Sequence, residues 1–173
     1  MRETTEDLER LQAILDESHT SGGAHLRSII TEERRLTATV IAERLTGMTL
    51  LALATTTREG APLVGPVDGI FYRGEFWFGS APNALRFRHI RERPAVSATH
   101  LPGEELAVTV HGNAQIVGTP AELPEELREA CVEIYGDSWF DWGDGALYAR
   151  IEPRRIFVFH LEPEAEGLGA GSG

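Results

Sequence analysis

The sequence predicts a mainly β protein with flanking helices, its six strands closing into a closed or split antiparallel barrel. Three observations carry that expectation. Six extended segments lie between Met48 and His160, joined mainly by short turns rich in Gly and Pro. Helical patterns are inserted among them at only two points. The chain of 173 residues, 42% hydrophobic and 25% charged, suits one compact domain with an N-terminal extension that needs no disulfide.

The elements follow in order. A first helix is expected over about Thr5–Ser18, where Leu8, Leu11 and Leu15 form a stripe and Glu6, Asp7 and Glu9 favour the positive helix start. Ser21-Gly22-Gly23 breaks it. A second helix is expected over Thr37–Leu45, with Leu36, Val40, Ile41 and Leu45 on one face and Gly47 as its stop. Strands are predicted over Met48–Thr56, Pro62–Tyr72 and Glu75–Ser80, with turns at Arg58-Glu59-Gly60 and Arg73-Gly74. Pro66 has no N–H to give a ladder, so the second strand is an edge or carries a bulge there. A short helix is expected from Asn83 to Glu92, stopped by Pro94. Strands Ala95–His100 and Glu105–Val117 follow, then a helix over Pro120–Tyr135 and a loop, Asp137–Asp144. The last extended segment, Ala146–His160, is broken at Pro153. The domain organisation read from this is a helical extension over 1–36, a barrel over 37–160 and a disordered tail over 161–173.

Composition excludes several functions. A net charge of −11 argues against nucleic acid as a partner, because phosphate backbones select basic surfaces. No apolar run is long enough for a membrane span, and Met1 opens an acidic helix, so a cytoplasmic protein with no membrane partner is expected. One cysteine, Cys131, permits neither an internal disulfide nor a multi-cysteine metal site. All 16 basic residues are arginine. The absence of lysine rules out a Walker A phosphate loop and a Schiff-base lysine. Any phosphate must be held by arginine, hydroxyls and backbone N–H groups.

The stretch Phe76–Val96 is the most informative. A strand ends at Gly79-Ser80, a loop holds Asn83, and a helix begins with Arg86 in its first turn and Arg88 close by. The helix start, the Ser80 hydroxyl and the Arg86 guanidinium can converge on one phosphate. The competing reading is a solvated helix face.

Three segments together resemble the pyridoxamine 5'-phosphate oxidase-like split-barrel superfamily, which includes flavin and deazaflavin oxidoreductases. They are Leu53–Val67, Phe78–Val96 and Val110–Val117, and the resemblance spans about residues 37–160. It implies an FMN-binding oxidoreductase that passes hydride between the flavin and a small organic or nicotinamide substrate. It equally accommodates a reductase using the deazaflavin F-420, and a non-catalytic flavin- or haem-binding protein is a rival of a different class. Carried over, Ser80 takes the hydroxyl position of the phosphate site, beside Gly79 and Asn83, and Arg86 stands where many relatives have lysine. The ring lies along the second strand, at Gly65, Pro66, Val67 and Asp68. Relatives are usually dimers whose partner subunit covers the ring, so a homodimer is expected. A six-stranded barrel fills with its own side chains, which puts a tricyclic ring outside it.

The chain departs from pyridoxamine phosphate oxidase proper. Ala84 and Leu85 stand where that enzyme has polar residues, Ala107 replaces a glutamine, and Pro153–His160 lacks its arginine-histidine signature. Oxidation of pyridoxamine phosphate is therefore not implied. No catalytic acid, base or nucleophile is assigned; in flavin chemistry the protein supplies position, charge and exclusion of water.

Other features are read as structural. Gly136-Asp137-Ser138-Trp139 lacks the second glycine and the preceding strand of a nucleophile elbow. Asp137, Asp141 and Asp144 match no calcium spacing, and the scattered histidines, His89 and His111 among them, give no metal motif. Trp139 and Trp142 either cover a partner's flavin edge or pack their own loop down. Cys131 shares a helix face with Leu123, Leu127 and Ile134 and reads as a buried thiol.

Overall fold

A computed structural model describes residues 2–137, 139 and 145–161. The tail from Glu162 lies outside them. The strands are β1 (Met48–Thr56), β2 (Pro62–Tyr72), β3 (Glu75–Ser80), β4 (Ala95–His100), β5 (Leu106–Gly118) and β6 (Leu147–His160). They close into an antiparallel barrel in the order β1-β2-β3-β6-β5-β4. The helices are α1 (Thr5–Ser21), α2 (Ala24–Ile29), α3 (Ala38–Arg44), α4 (Leu85–Glu92) and α5 (Glu125–Tyr135).

Most boundaries lie where turn chemistry puts them. Arg73 and Gly74 take positive φ, 51° and 80°, the backbone twist that suits a two-residue hairpin between β2 and β3. Thr4 begins α1 with a reciprocal capping box to Asp7, and the Thr37 hydroxyl caps α3.

Three expectations change in detail. The helix expected over Pro120–Tyr135 is a 3₁₀ turn, Pro120–Glu122, followed by α5, because Leu123 precedes Pro124 and takes an extended backbone. The break expected at Pro153 is a bulge instead: the partner of β6 shifts between His111 and Gly112, and the strand runs on. A β-carbon on Gly112 would strike the Glu152 carbonyl, so the bulge needs glycine opposite it. The extension holds, besides α1, the six-residue α2, which buries no side chain and so shows no apolar stripe.

Strand alternation sorts the side chains into two cores. Val67 and Phe71 of β2 and Phe76 and Phe78 of β3 point into the barrel, where they meet Val108, Val110 and Ile151. Leu11 and Leu15 of α1 and Ile41 and Ala42 of α3 join that same cluster. The alternate residues Ile70, Tyr72 and Trp77 face outward and are covered by Leu127 and Cys131 of α5, with Trp139 and Tyr148. The outer core holds α5 on one side of the barrel.

The extension is tied to the barrel by more than contact. The buried Ser18 hydroxyl accepts the backbone N–H of Ile156 in β6 at 2.9 Å. Replacing Ser18 with Ala leaves that buried donor unpaired, an expected loss of about 1–3 kcal/mol. Urea unfolding should show the midpoint falling with an unchanged slope.

Candidate functional site

The site grows from a defect in the pairing of β2. Along Pro62–Ile70 the strand pairs with β1 on one side, but its pairing with β3 covers only Gly69–Tyr72. Among the described residues no strand pairs with the other side of 62–68, which therefore presents an open edge. Pro66 lies within it, opposite Ala52 of β1, so the missing N–H costs no ladder bond. The edge expected from Pro66 is present.

Arg86, in the first turn of α4, reaches across to this edge. Its Nη1 donates to the Pro66 carbonyl at 3.1 Å. The other guanidinium nitrogen lies 3.6 Å from where a β-carbon on Gly65 would stand, so any side chain at that position would rest against it. Residues two apart in an antiparallel strand aim their backbone groups alike, so Val64 and Asp68 face the same open edge as the Pro66 carbonyl. Arg86 is partly buried and, among the described residues, has no carboxylate partner. Burial alone draws its guanidinium below the ordinary arginine range. A half-desolvated cation bonded only to a carbonyl has donors to spare for an anion. Ala84 caps α4 with no side-chain bond, leaving the first N–H groups of the helix available as well.

The other expected residues divide by place. Asp68, Gly79 and Ser80 lie on the rim of a cavity of about 110 Å³ between the outer face of β2, β3 and β6 and helix α5. Its wall includes Trp77, Leu127, Cys131 and Tyr148. Gly79 makes room there for Tyr148, whose ring a β-carbon would meet at 2.9 Å. Trp139 is buried in this wall, and its indole donates to the Tyr148 hydroxyl at 2.7 Å. Val67 turns its side chain into the barrel, so only its backbone belongs to the strip. Asn83 is exposed in the turn before α4. Arg88 points about 200° round the helix from Arg86 and is exposed; the Glu92 carboxyl is drawn below its ordinary range first by its bond to Arg93, with Arg88 a lesser contributor. The fold thus brings Arg86 to Gly65 and Pro66, and Asp68 to Gly79 and Ser80, but does not bring Arg88 to either group. Trp142, like Ser138, Asp141 and Asp144, lies outside the described residues.

Tyr148 is the site residue that sequence reasoning missed. No motif marks it; only the pairing of Gly79 with Tyr148 across β3 and β6 sets it over the rim. The two histidines singled out in the sequence are engaged in the scaffold. His89 is buried on Thr55 at 2.9 Å, and His111 bonds Ser97 at 2.7 Å. Among the described residues no group of three His, Cys, Asp or Glu side chains is placed to hold a metal, and no helix is long and apolar enough to cross a membrane.

A six-stranded barrel whose second strand is half unpaired, with an arginine from the following helix seated at the gap, defines a protein of the pyridoxamine 5'-phosphate oxidase-like split-barrel superfamily. The family model described as Pyridoxamine 5'-phosphate oxidase matches residues 38–165, and the chain belongs to that family. No curated protein matches the sequence. Solved structures share the fold at low identity. The conserved hypothetical protein Rv2991 from Mycobacterium tuberculosis is 20% identical with a TM-score of 0.61, over 82% of this chain and 98% of that one. An FAD-binding protein from Mesorhizobium loti is 19% identical with a TM-score of 0.53, over 73% and 96%. An F420 reductase is 17% identical with a TM-score of 0.51, over 65% and 92%.

Cys131 offers a direct check of the cavity wall. Its burial pushes the thiol from an ordinary 9 up to about 12. Below about pH 9 the thiol is protonated in both folded and unfolded chains. Above it the unfolded chain ionises first, so stability falls as pH rises toward 12. A thiol reagent at pH 8 should label Cys131 no faster than the chain unfolds, and the denaturation midpoint should drop above pH 9. Rapid labelling of the folded chain would place the thiol at the surface.

Proposed function

We propose that the chain binds FMN on the open edge of β2 and serves as an oxidoreductase acting on a small organic or nicotinamide substrate. The observation that carries this reading is Arg86: a partly buried guanidinium with no acidic partner among the described residues, laid against an unpaired strand edge. Arg86 and the first N–H groups of α4 would hold the phosphate, with the Ser80 hydroxyl as the further group that the family resemblance implies. The backbone of Gly65–Asp68 would meet the polar edge of the ring. The bound group supplies the hydride chemistry; this chain's residues bind it, orient it and keep water away. The cavity under α5 is far smaller than the roughly 300 Å³ or more that larger ligands occupy, which favours the edge as the place for a tricyclic ring.

The reading includes a homodimer. Ala52 and Pro66 pair directly across β1 and β2, and Leu50 and Val64, opposite Asp68 and Ala54, share that outer face; all four stand bare, Leu50 at 53% and Val64 at 69% exposure. Ile70 and Tyr72, further along the same face of β2, are covered by α5. An apolar face that ends beside the arginine suits a second copy, which would shield both the face and a ring laid at its border.

A deazaflavin is the second reading, favoured by the fold shared with the F420 reductase. Its phosphate would use the same arginine. Mass and absorbance of the cofactor that copurifies separate the two, and anaerobic stopped-flow reduction separates a catalyst from a store.

Arg86→Ala should weaken FMN binding by about 1.5–3 kcal/mol, as loss of a charge-assisted bond does, with the fold retained. Ser80→Ala should cost less, about 0.5–1.5 kcal/mol. Titration calorimetry reads both, and unchanged affinity in Arg86→Ala removes that residue from the site.

A further inference from the structure

The cavity under α5 has chemistry of its own. Its wall is largely apolar, and the polar groups in it are unevenly satisfied. Tyr148 Oη accepts the Trp139 indole N–H at 2.7 Å. A phenol oxygen that accepts still carries its own proton to donate. Among the described residues no acceptor takes that proton. Burial pushes the Tyr148 hydroxyl up to about 12, so it stays a donor at neutral pH. In the same wall the Trp77 indole nitrogen is shielded from water and has no hydrogen-bond partner among the described residues. Unpaired buried donors are costly, and an acceptor brought in by a ligand relieves that cost.

Place and size narrow the ligand. The Tyr148 ring lies over Gly79, on the rim that Asp68 and Ser80 share, next to the open edge of β2. A volume of about 110 Å³ is somewhat below the ~150 Å³ apolar cavity that admits benzene, so one small ring fills it. Apolar walls and the Asp68 carboxylate at the mouth disfavour an anion.

We propose that this cavity is the substrate subsite of the same centre, built for a small, uncharged, largely apolar molecule bearing one hydrogen-bond acceptor, such as a carbonyl, which the Tyr148 hydroxyl receives. Trp139 is a positioning residue that fixes the phenol through its oxygen. Only the word substrate rests on the flavin reading; binding stands on the cavity and Tyr148.

The test uses benzaldehyde and toluene, similar in shape and differing in the acceptor, titrated into the full chain and followed by calorimetry and by the indole N–H resonances. Benzaldehyde should bind about five- to tenfold more tightly, the effect of one hydrogen bond. Tyr148→Phe should keep the toluene affinity and bring the ratio near one. Ala146→Leu, in the partly exposed wall, should weaken both probes. In the unaltered chain the infrared carbonyl band of bound benzaldehyde should shift to lower frequency. The proposal is overturned if neither probe binds, if the preference survives in Tyr148→Phe, or if the carbonyl band is unshifted. None of these measurements needs a cofactor. A chain that takes up no flavin yet gives this pattern keeps the subsite and loses the flavin reading; a flavin-loaded chain that binds neither probe loses the subsite alone.

Discussion

Everything at the candidate site descends from one pairing constraint: β2 is bonded on a single side over its first seven residues. An unpaired strand edge carries a row of backbone donors and acceptors that must be covered, charged or put to use. Here Pro66 removes one donor, and Arg86 takes the Pro66 carbonyl. The guanidinium spends one N–H on that bond and is held in place by it, with the rest of its fork unspent. Arginine is suited to this in a way lysine is not, since a planar fork can serve a carbonyl and an anion together. In a chain without lysine, the gap in the barrel and the residue that answers it fit each other.

The same strand organises what lies on either side of the edge. Because side chains alternate, Val67 and Phe71 complete the barrel interior while Ile70 and Tyr72 build the outer core under α5. The outer face is thus divided, covered toward the β2–β3 hairpin and bare toward Val64 and Leu50. The arginine seat, the bare apolar face and the cavity rim meet near Asp68. A rigid ladder places all three, which matters because binding geometry built on strands is held more tightly than geometry built on loops. Helix α1 contributes Leu11 and Leu15 to the interior and ties itself to β6 through Ser18, so the extension stabilises the barrel that carries the site.

Much of this was legible in the residues alone. Strands β1 to β4 begin and end where alternation and turn residues place them, because Gly60 and the Arg73-Gly74 pair impose their backbone conformations locally. The arginine in the first turn of α4 could also be found, since it follows a strand, a hydroxyl and a loop in an order with chemical meaning. What could not be read depends on distant contacts. Pro153 looks like a break until β5 supplies Gly112 opposite it, and α2 has no buried face to leave a pattern. Arg88 sits beside Arg86 in sequence but across the helix in space. Trp139 and Tyr148 lie nine residues apart with no motif to mark the bond between them, and only the pairing of β6 with β3 sets Tyr148 over Gly79.

The central claim is that the Arg86 seat at the open edge of β2 holds the phosphate of a flavin-type cofactor. A crystal structure of the chain grown with saturating FMN tests it most directly. The account predicts a phosphate in contact with the Arg86 guanidinium and the start of α4, the ring along Gly65–Asp68, and a second copy of the chain over its outer face. Density for FMN elsewhere, or an empty seat with the β2 edge closed by protein, would contradict it.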